Sequence, residues 1–480
     1  RLTVRNLKDV ERKVSLLSGM TLRHNETLAH KELSWALSLP TSSPPTATES
    51  GIGTPAKAPL PGSLPPFLPM TPVKQAESLR SGTTVFSMPA GLQWEARHLA
   101  EQYRVGEQFA DQAVNQPIKA VTGWTHTHQF AHATTNDGSP ATRITDTVEA
   151  NVPEFALRSA FAYRQHQLIE DLKFIDSLPE TNPLTVAMTG ASGLVGSHLS
   201  AQLTTAGHSV ISLTRSDPGE DERKWNPDNP APDLLKDVDA VVHLAGESIM
   251  GRFTEEKKRK IHDSRIGPTR KLAQLAADSG VKTFVCASAV GYYGTEAGDR
   301  PHTESDGPGK GFLAEVCAEW EDAAQVDGVR VVNLRTGLAL SGAGGLLPVL
   351  KASVSAGLGA RFGDGDFWMS WVALDDLADI YVRALVDDTL HGPINATAPN
   401  PVTNAEMSAT LASMLRRPDF IPIPEFGPKI LLGAEGAQEL ALADQHVDPA
   451  VAKQTGMSFR YPTLEAALAH ELGKEELLNG

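Results

Sequence analysis

Residues 184–196 read Leu184-Thr-Val-Ala-Met-Thr-Gly190-Ala-Ser-Gly193-Leu-Val-Gly196, an apolar run that passes through three glycines, spaced GxxGxxG, into a helix start. No other stretch narrows the possible folds as far. An unbroken apolar run of this kind is what a strand covered on both faces requires. Gly190 permits a tight turn, Gly193 lets backbone come close to a ligand, and Gly196 lets the following helix pack against the strand. The helix start offers free N–H groups and the positive end of its dipole. The segment therefore predicts a dinucleotide pyrophosphate site made by Gly190, Ser192, Gly193, Leu194, Val195 and Gly196.

The alternation continues downstream. Strands are expected at 209–214, 240–245, 282–288 and 330–336, with helical stretches at 194–206, 254–279 and 312–325. Apolar strands alternating with helices predict an α/β, Rossmann-type doubly wound parallel sheet. The second strand ends Leu213-Thr-Arg215-Ser216. An acidic residue at that point would bind a ribose 2′-hydroxyl and repel a 2′-phosphate, whereas an arginine pairs with the phosphate. Arg215 thus favours NADP over NAD, the plainer reading being a solvated loop cation.

Several further segments carry a resemblance. Thr189-Gly-Ala-Ser-Gly-Leu-Val-Gly196, His243-Leu-Ala-Gly246-Glu247, Ser264-Arg265-Ile-Gly-Pro-Thr269 and Ala287-Ser288-Ala-Val-Gly-Tyr-Tyr-Gly294 resemble the extended short-chain dehydrogenase/reductase superfamily. More narrowly they resemble its atypical branch of sugar-nucleotide-epimerase-like proteins of unknown substrate. Leu334-Arg335-Thr-Gly337, Ser370-Trp371-Val and Met457-Ser-Phe-Arg-Tyr-Pro462 extend the likeness over roughly 184–475. It implies that Leu244, Ala245, Gly246, Glu247 and Arg265 join the cofactor site, and that a small substrate lobe spans about 340–480.

The resemblance also implies a Ser-Tyr-Lys active site, with Tyr and Lys spaced YxxxK on a helix. One helical turn would place the ammonium under the phenol and lower its pKa. Ser288 matches the serine. The helix, however, reads Phe312-Leu313-Ala-Glu-Val316-Cys317, and no YxxxK occurs in the chain. Tyr292 and Tyr293, just beyond the strand that carries Ser288, and Lys310 are the possible substitutes, Lys310 more simply a surface loop residue, and Ser288, Tyr292 and Tyr293 form the candidate catalytic set. The plainer reading of the tyrosines is that they only shape the pocket.

The first part of the chain has a different texture. Strand candidates at 83–88, 93–100, 103–109, 120–133 and 142–152 precede a helical stripe of Phe155, Phe161, Leu168, Leu172 and Ile175. Trp124, His126, His128 and Phe130 alternate with polar residues, the period of a half-buried strand. Asn136-Asp137-Gly138 signals a hairpin turn. This is the pattern of an α+β unit in which a curved sheet wraps a helix; Leu64-Pro-Pro-Phe and Phe161-Ala-Tyr-Arg164 resemble the START-like (polyketide cyclase/dehydrase-like) helix-grip domains. An apolar cavity for a hydrophobic or amphipathic ligand is expected between sheet and helix. Residues 40–72 hold ten prolines and read as a loop insertion. The expected domains are thus 1–178 and 179–480.

Composition sets the remaining bounds. Lys and Arg number 43 against 58 Asp and Glu, a net charge of −15, which argues against nucleic acid and anionic lipid as partners. No run is long and apolar enough for a membrane span. Cys286 and Cys317 are the only cysteines, too few for a disulfide framework, so a reducing cytoplasm is expected. The sequence begins at Arg1, which leaves a cleaved leader open. His126, His128 and His132 have an HxH spacing, but no carboxylate or cysteine lies near them in sequence, and no metal is expected. The function expected is an NADP-dependent oxidoreductase or epimerase/dehydratase-like enzyme on an unknown small molecule. The alternative is a non-catalytic NADP-binding sensor coupled to a hydrophobic-ligand domain. Neither substrate nor oligomeric state is legible.

Overall fold

The structure, a computed structural model, describes residues 31–40, 64–134, 140–419, 421–424 and 426–478, with backbone alone for 31–40 and 140. It divides into two compact units, one running to Ser177 and including the terminal segment from Leu472, the other Leu178–Glu471. The terminal segment therefore departs from the boundary expected from sequence. Gln165 explains it: its side chain donates to the Leu478 carbonyl at 3.1 Å and accepts from the Leu478 amide at 2.8 Å. Leu477 packs with Phe161 and Val148.

The first unit is a seven-stranded antiparallel sheet. Its strands are β1 (Lys31–Pro40), β2 (Thr71–Lys74), β3 (Thr83–Ser87), β4 (Gln93–His98), β5 (Gln108–Ala113), β6 (Thr125–Thr134) and β7 (Pro140–Ala150). They lie in the order β1-β7-β6-β5-β4-β3-β2. Pro72 falls in the edge strand β2, where a missing N–H breaks no interior ladder. Helix α1 (Glu154–Ser177) covers one face. Phe109, Phe130 and Ile144 from the sheet meet Leu168 of the helix in one cluster.

Some sequence expectations shift. Residues 103–107 turn rather than extend, because Arg104 and Gln108 pair across a tight loop, and the strand starts at Gln108. Residues 118–122 form a short helix before β6. Phe155 is 79% exposed, so the apolar stripe of α1 begins at Phe161. The Asn136-Asp137-Gly138 turn and most of the proline-rich insertion lie outside the described residues.

The second unit is built on β8 (Thr185–Thr189), α2 (Leu194–Thr205), β9 (Ser209–Thr214), β10 (Glu222–Lys224), β11 (Ala240–His243), α3 (Glu255–Asp263), α4 (Ile266–Asp278), β12 (Thr283–Ala289), α5 (Phe312–Ala324), β13 (Arg330–Thr336), α6 (Leu374–Val386) and β14 (Gly392–Ala396). The sheet order is β10-β9-β8-β11-β12-β13-β14, parallel throughout. The single helical stretch expected at 254–279 is broken at Ser264–Arg265 into α3 and α4. Among the described residues, no helix is long and apolar enough to cross a membrane.

Polar pairs lock α2 onto α6. His198 and Gln202, one turn apart, meet Asp375 and Asp379, also one turn apart, at 2.9 and 3.0 Å. Arg460 then clamps Asp379 with Nη2 donating to Oδ1 at 2.7 Å. Its side chain is only 3% exposed. Removing one partner of a buried ion pair leaves an uncompensated charge, at a cost of about 3–5 kcal/mol. Asp379→Ala is expected to lose about that much unfolding free energy in urea titration. A loss below about 1 kcal/mol would contradict the assignment of this clamp.

Candidate cofactor and active site

Strand order reverses between β8 and β11, and such a switch point opens a crevice at the strands' carboxyl ends. The glycine turn stands at this point. Gly190 has φ +70°, a conformation that suits glycine. A Cβ on Gly190 would lie 3.1 Å from the Leu244 carbonyl carbon, so the loops after β8 and β11 touch. A Cβ on Gly196 would stand 2.2 Å from the Gly190 carbonyl oxygen and 2.8 Å from the Ala191 Cα. Gly196 thus lets the helix approach the turn itself, one residue beyond the strand. Ser192 and Gly193 are exposed, and a Cβ on Gly193 would meet only the Gly190 carbonyl. Leu194 and Val195 are half-buried, Leu194 lying against Gly344.

Thr189, fully buried, ties the two loops together. Its hydroxyl oxygen accepts from the Leu244 and Ala245 amides at 3.1 and 3.2 Å. With both acceptor positions filled, its proton goes to His243 Nδ1, 2.7 Å away. His243 is then a neutral imidazole, and burial, with Arg265 nearby, pushes its pKa down to about 3.

Arg265 supports this loop from beneath. Its guanidinium donates to the carbonyls of Glu247 and Ile261, both at 3.0 Å, and lies 5.0 Å above the Trp320 ring. A Cβ on Gly246 would come within 2.9 Å of its Cζ, so glycine there makes room for the arginine. The Glu247 side chain, 43% exposed, accepts from Lys257 Nζ at 2.9 Å. Arg215 is exposed just past β9, beside Thr214 and Ser216, whose hydroxyls bond each other at 2.8 Å.

The second half of the site is a polar row across three strands. Ser288 on β12, Arg335 on β13 and Asn395 on β14 are register partners. Glu321 of α5 closes the row from one side. Ser288 donates its hydroxyl to Glu321 Oε1 at 2.7 Å. Arg335 donates to both Glu321 oxygens at 2.8 Å. Its Nη1 donates to the Tyr293 hydroxyl at 2.9 Å, and that hydroxyl donates to Asn395 Oδ1 at 2.7 Å. Asn395 is held in turn by its amide donating to the Asp448 carbonyl. Burial works against a charged Arg335, but the Glu321 carboxylate overrides it and raises the guanidinium's pKa further.

The three tyrosine and serine candidates therefore separate. Ser288 spends its proton on Glu321. Tyr293 is buried with donor and acceptor both engaged, and burial pushes its phenol up to about 12 despite Arg335. Tyr292 is half-exposed, and the Arg335 guanidinium lies 3.4 Å from its ring centre. Burial holds the Tyr292 phenol above its ordinary range, and the cation against its face offsets only part of that rise. The helix positions of the YxxxK pair are apolar and packed inward: Leu313, Val316 and Cys317 are buried. Glu439 caps that helix, accepting from the amides of Phe312 and Leu313 at 3.0 and 3.2 Å.

Glu321, Arg335 and Asn395 were missing from the site expected from sequence. The signal for Arg335 was present: a charge inside Val331-Val-Asn-Leu-Arg335 must find a partner once that strand is buried. Glu321 carries no such signal, since its neighbours on α5 do not fix which way it faces.

Sheet, switch point and glycine turn define a Rossmann-type, NAD(P)-binding protein. Residues 186–395 match the model of the NAD dependent epimerase/dehydratase family, and residues 423–471 match a domain of unknown function, DUF1731. An epimerase family protein of Mycobacterium tuberculosis is 42% identical over 292 residues, 59% of this chain and 96% of the relative. The crystal structure of the nucleoside-diphosphate sugar epimerase from Corynebacterium glutamicum is 48% identical with a TM-score of 0.75, over 86% of this chain and 85% of that one. The structure of human epimerase family protein SDR39U1 with NADPH is 30% identical with a TM-score of 0.56, over 60% of this chain and 99% of that one. The chain belongs to the NAD dependent epimerase/dehydratase family.

The Gly190–Gly196 contact leaves no room for a side chain. Gly196→Ala is expected to force the turn open and to weaken NAD(P)H binding at least about tenfold, read by quenching of protein fluorescence. Unchanged affinity in a folded variant would show that the phosphates are held elsewhere.

Proposed function

We propose that this chain is an NADP-dependent oxidoreductase or epimerase-type enzyme in which Tyr292 and Arg335 replace the Tyr-Lys pair. The observation that carries the reading is the Arg335 guanidinium, buried, permanently charged and 3.4 Å from the centre of the half-exposed Tyr292 ring. A cation at that position favours the phenolate, as a lysine ammonium would. Tyr292 is then the group that gives or takes a proton at substrate oxygen. Glu321 and Ser288 keep Arg335 in place rather than meeting substrate. When bound, the nicotinamide would supply or accept the hydride. Gly190, Ser192, Gly193, Leu194, Val195 and Gly196 would hold the pyrophosphate, with Leu244, Ala245, Gly246 and Glu247 walling the crevice. Arg265 would act through that wall.

NADP is the cofactor this reading selects. Arg215 is exposed past β9 with no acidic residue beside it in sequence, and the human relative was solved with NADPH. The Corynebacterium relative is described as acting on nucleoside-diphosphate sugars, which makes those sugars the first substrates to try. The rival reading, an NADP-binding sensor without chemistry, draws on the apolar Leu313, Val316 and Cys317 where the family pair would stand. For the first unit we infer a START-like helix-grip domain, supported by its antiparallel sheet and the 24-residue helix α1.

Two measurements test this. Arg215→Ala is expected to lose about 1.5–3 kcal/mol of NADPH binding and almost none of NADH binding, read by calorimetry. Equal wild-type affinity for the two cofactors would contradict the assignment. In a panel of carbonyl compounds and nucleoside-diphosphate sugars, turnover is expected in the wild type and lost in Tyr292→Phe, with NADPH affinity retained. Full turnover in Tyr292→Phe would remove Tyr292 from the mechanism, and no turnover at all would favour the sensor.

A further inference from the structure

The first unit buries a charged cluster that the dinucleotide site does not use. His126 and His128 sit two residues apart on β6 and face the same side. Asp111 on β5 is the register partner of His126, and Asp146 on β7 is the register partner of His128. Sequence reading found no carboxylate near the histidines, because both acids come from neighbouring strands. The sheet supplies what the linear spacing lacked.

The geometry is close. His126 Nδ1 lies 3.7 Å from Asp111 Oδ2, and its Nε2 lies 3.6 Å from Asp146 Oδ1. His128 Nδ1 lies 2.8 Å from the same Asp146 oxygen. One donor atom from each of Asp111, His126 and His128 falls within 4.8 Å of the others. His126 and His128 are 3% exposed and Asp146 is fully buried. Among the described residues, no aligned hydrogen-bond partner serves His126 Nε2 or either oxygen of Asp146. A buried carboxylate is costly unless donors or a cation meet it, and the near donor here is His128 Nδ1.

Charge points the same way. Arg164 of α1 is buried and acts electrostatically on both acids. Two carboxylates face one guanidinium.

We propose that Asp111, His126 and His128 form a binding site for a divalent transition metal of the zinc class, with Asp146 as a fourth ligand or as the carboxylate that orients His128. Nitrogen and oxygen donors in this mixture suit Zn²⁺ or Co²⁺ rather than Mg²⁺ or Ca²⁺. A carboxylate behind a ligating histidine fixes its tautomer and strengthens its donation. The site lies wholly within the first unit and does not depend on the cofactor reading above.

The test uses the full chain without a histidine tag, stripped with chelator and then titrated with Zn²⁺ or Co²⁺. Metal analysis should give one Zn²⁺ per chain, and Zn²⁺ should raise the melting temperature. His126→Gln, His128→Gln and Asp146→Asn should each weaken binding at least about tenfold. His132→Gln, an exposed histidine on the same strand, should leave it unchanged. Where a variant fails to fold, Co²⁺ absorption of the wild type decides, since bound Co²⁺ shows visible bands that free hydrated Co²⁺ lacks at that strength. No stoichiometric metal, no Co²⁺ bands, or binding untouched in folded His126→Gln and His128→Gln would overturn the site, and the cluster would then be balanced by a proton.

Discussion

The bidentate pair between Arg335 and Glu321 is the interaction on which the polar row of the second unit depends. Both groups are buried, and both oxygens of Glu321 are taken at 2.8 Å. From that pair the positions of Ser288, Tyr293 and Asn395 follow by single hydrogen bonds. Tyr292 then rests its ring on the remaining face of the guanidinium. A buried ion pair adds little net stability when compared with apolar packing, because desolvation offsets most of the attraction. What it fixes is geometry: a cation held at a set place among strands that are otherwise apolar.

The same logic separates this site from the usual one in its family. A lysine four residues after a tyrosine delivers its charge from the same helix as the phenol. Here the charge comes from β13, the strand next to the one that precedes the tyrosines, and α5 is left free to pack inward with Leu313, Val316 and Cys317. The cofactor half needs no such compensation. Gly190 takes the tight turn and Gly196 the close helix approach that their spacing implies, and Thr189 with the neutral His243 joins the two loops at the switch point.

What could be read in advance follows from how local each feature is. Five of the seven strands of the parallel sheet, with limits within a residue or two, and the glycine turn were legible, because buried strands and tight turns write their needs into consecutive residues; the edge strands β10 and β14 were not. The cross-strand features were not. Glu321 meets Ser288 only because α5 lies over β12, and Asp111 and Asp146 meet His126 and His128 only through sheet register. The break at Ser264–Arg265 falls where Pro268, which has no N–H, cannot return a hydrogen bond to the Ser264 carbonyl, a local signal that the helical pattern around it masked. The terminal segment joined the first unit through Gln165, a contact spanning more than 300 positions that no local pattern announces.

The central claim is that Tyr292, backed by Arg335, stands where the cofactor's reactive ring arrives. A crystal structure of the full chain grown with NADPH tests it most directly. The account predicts the 2′-phosphate against Arg215, the pyrophosphate over Gly193, and the nicotinamide ring beside the Tyr292 hydroxyl with open space for a substrate between them. A nicotinamide ring turned away from Tyr292, or sealed behind apolar side chains, would contradict it.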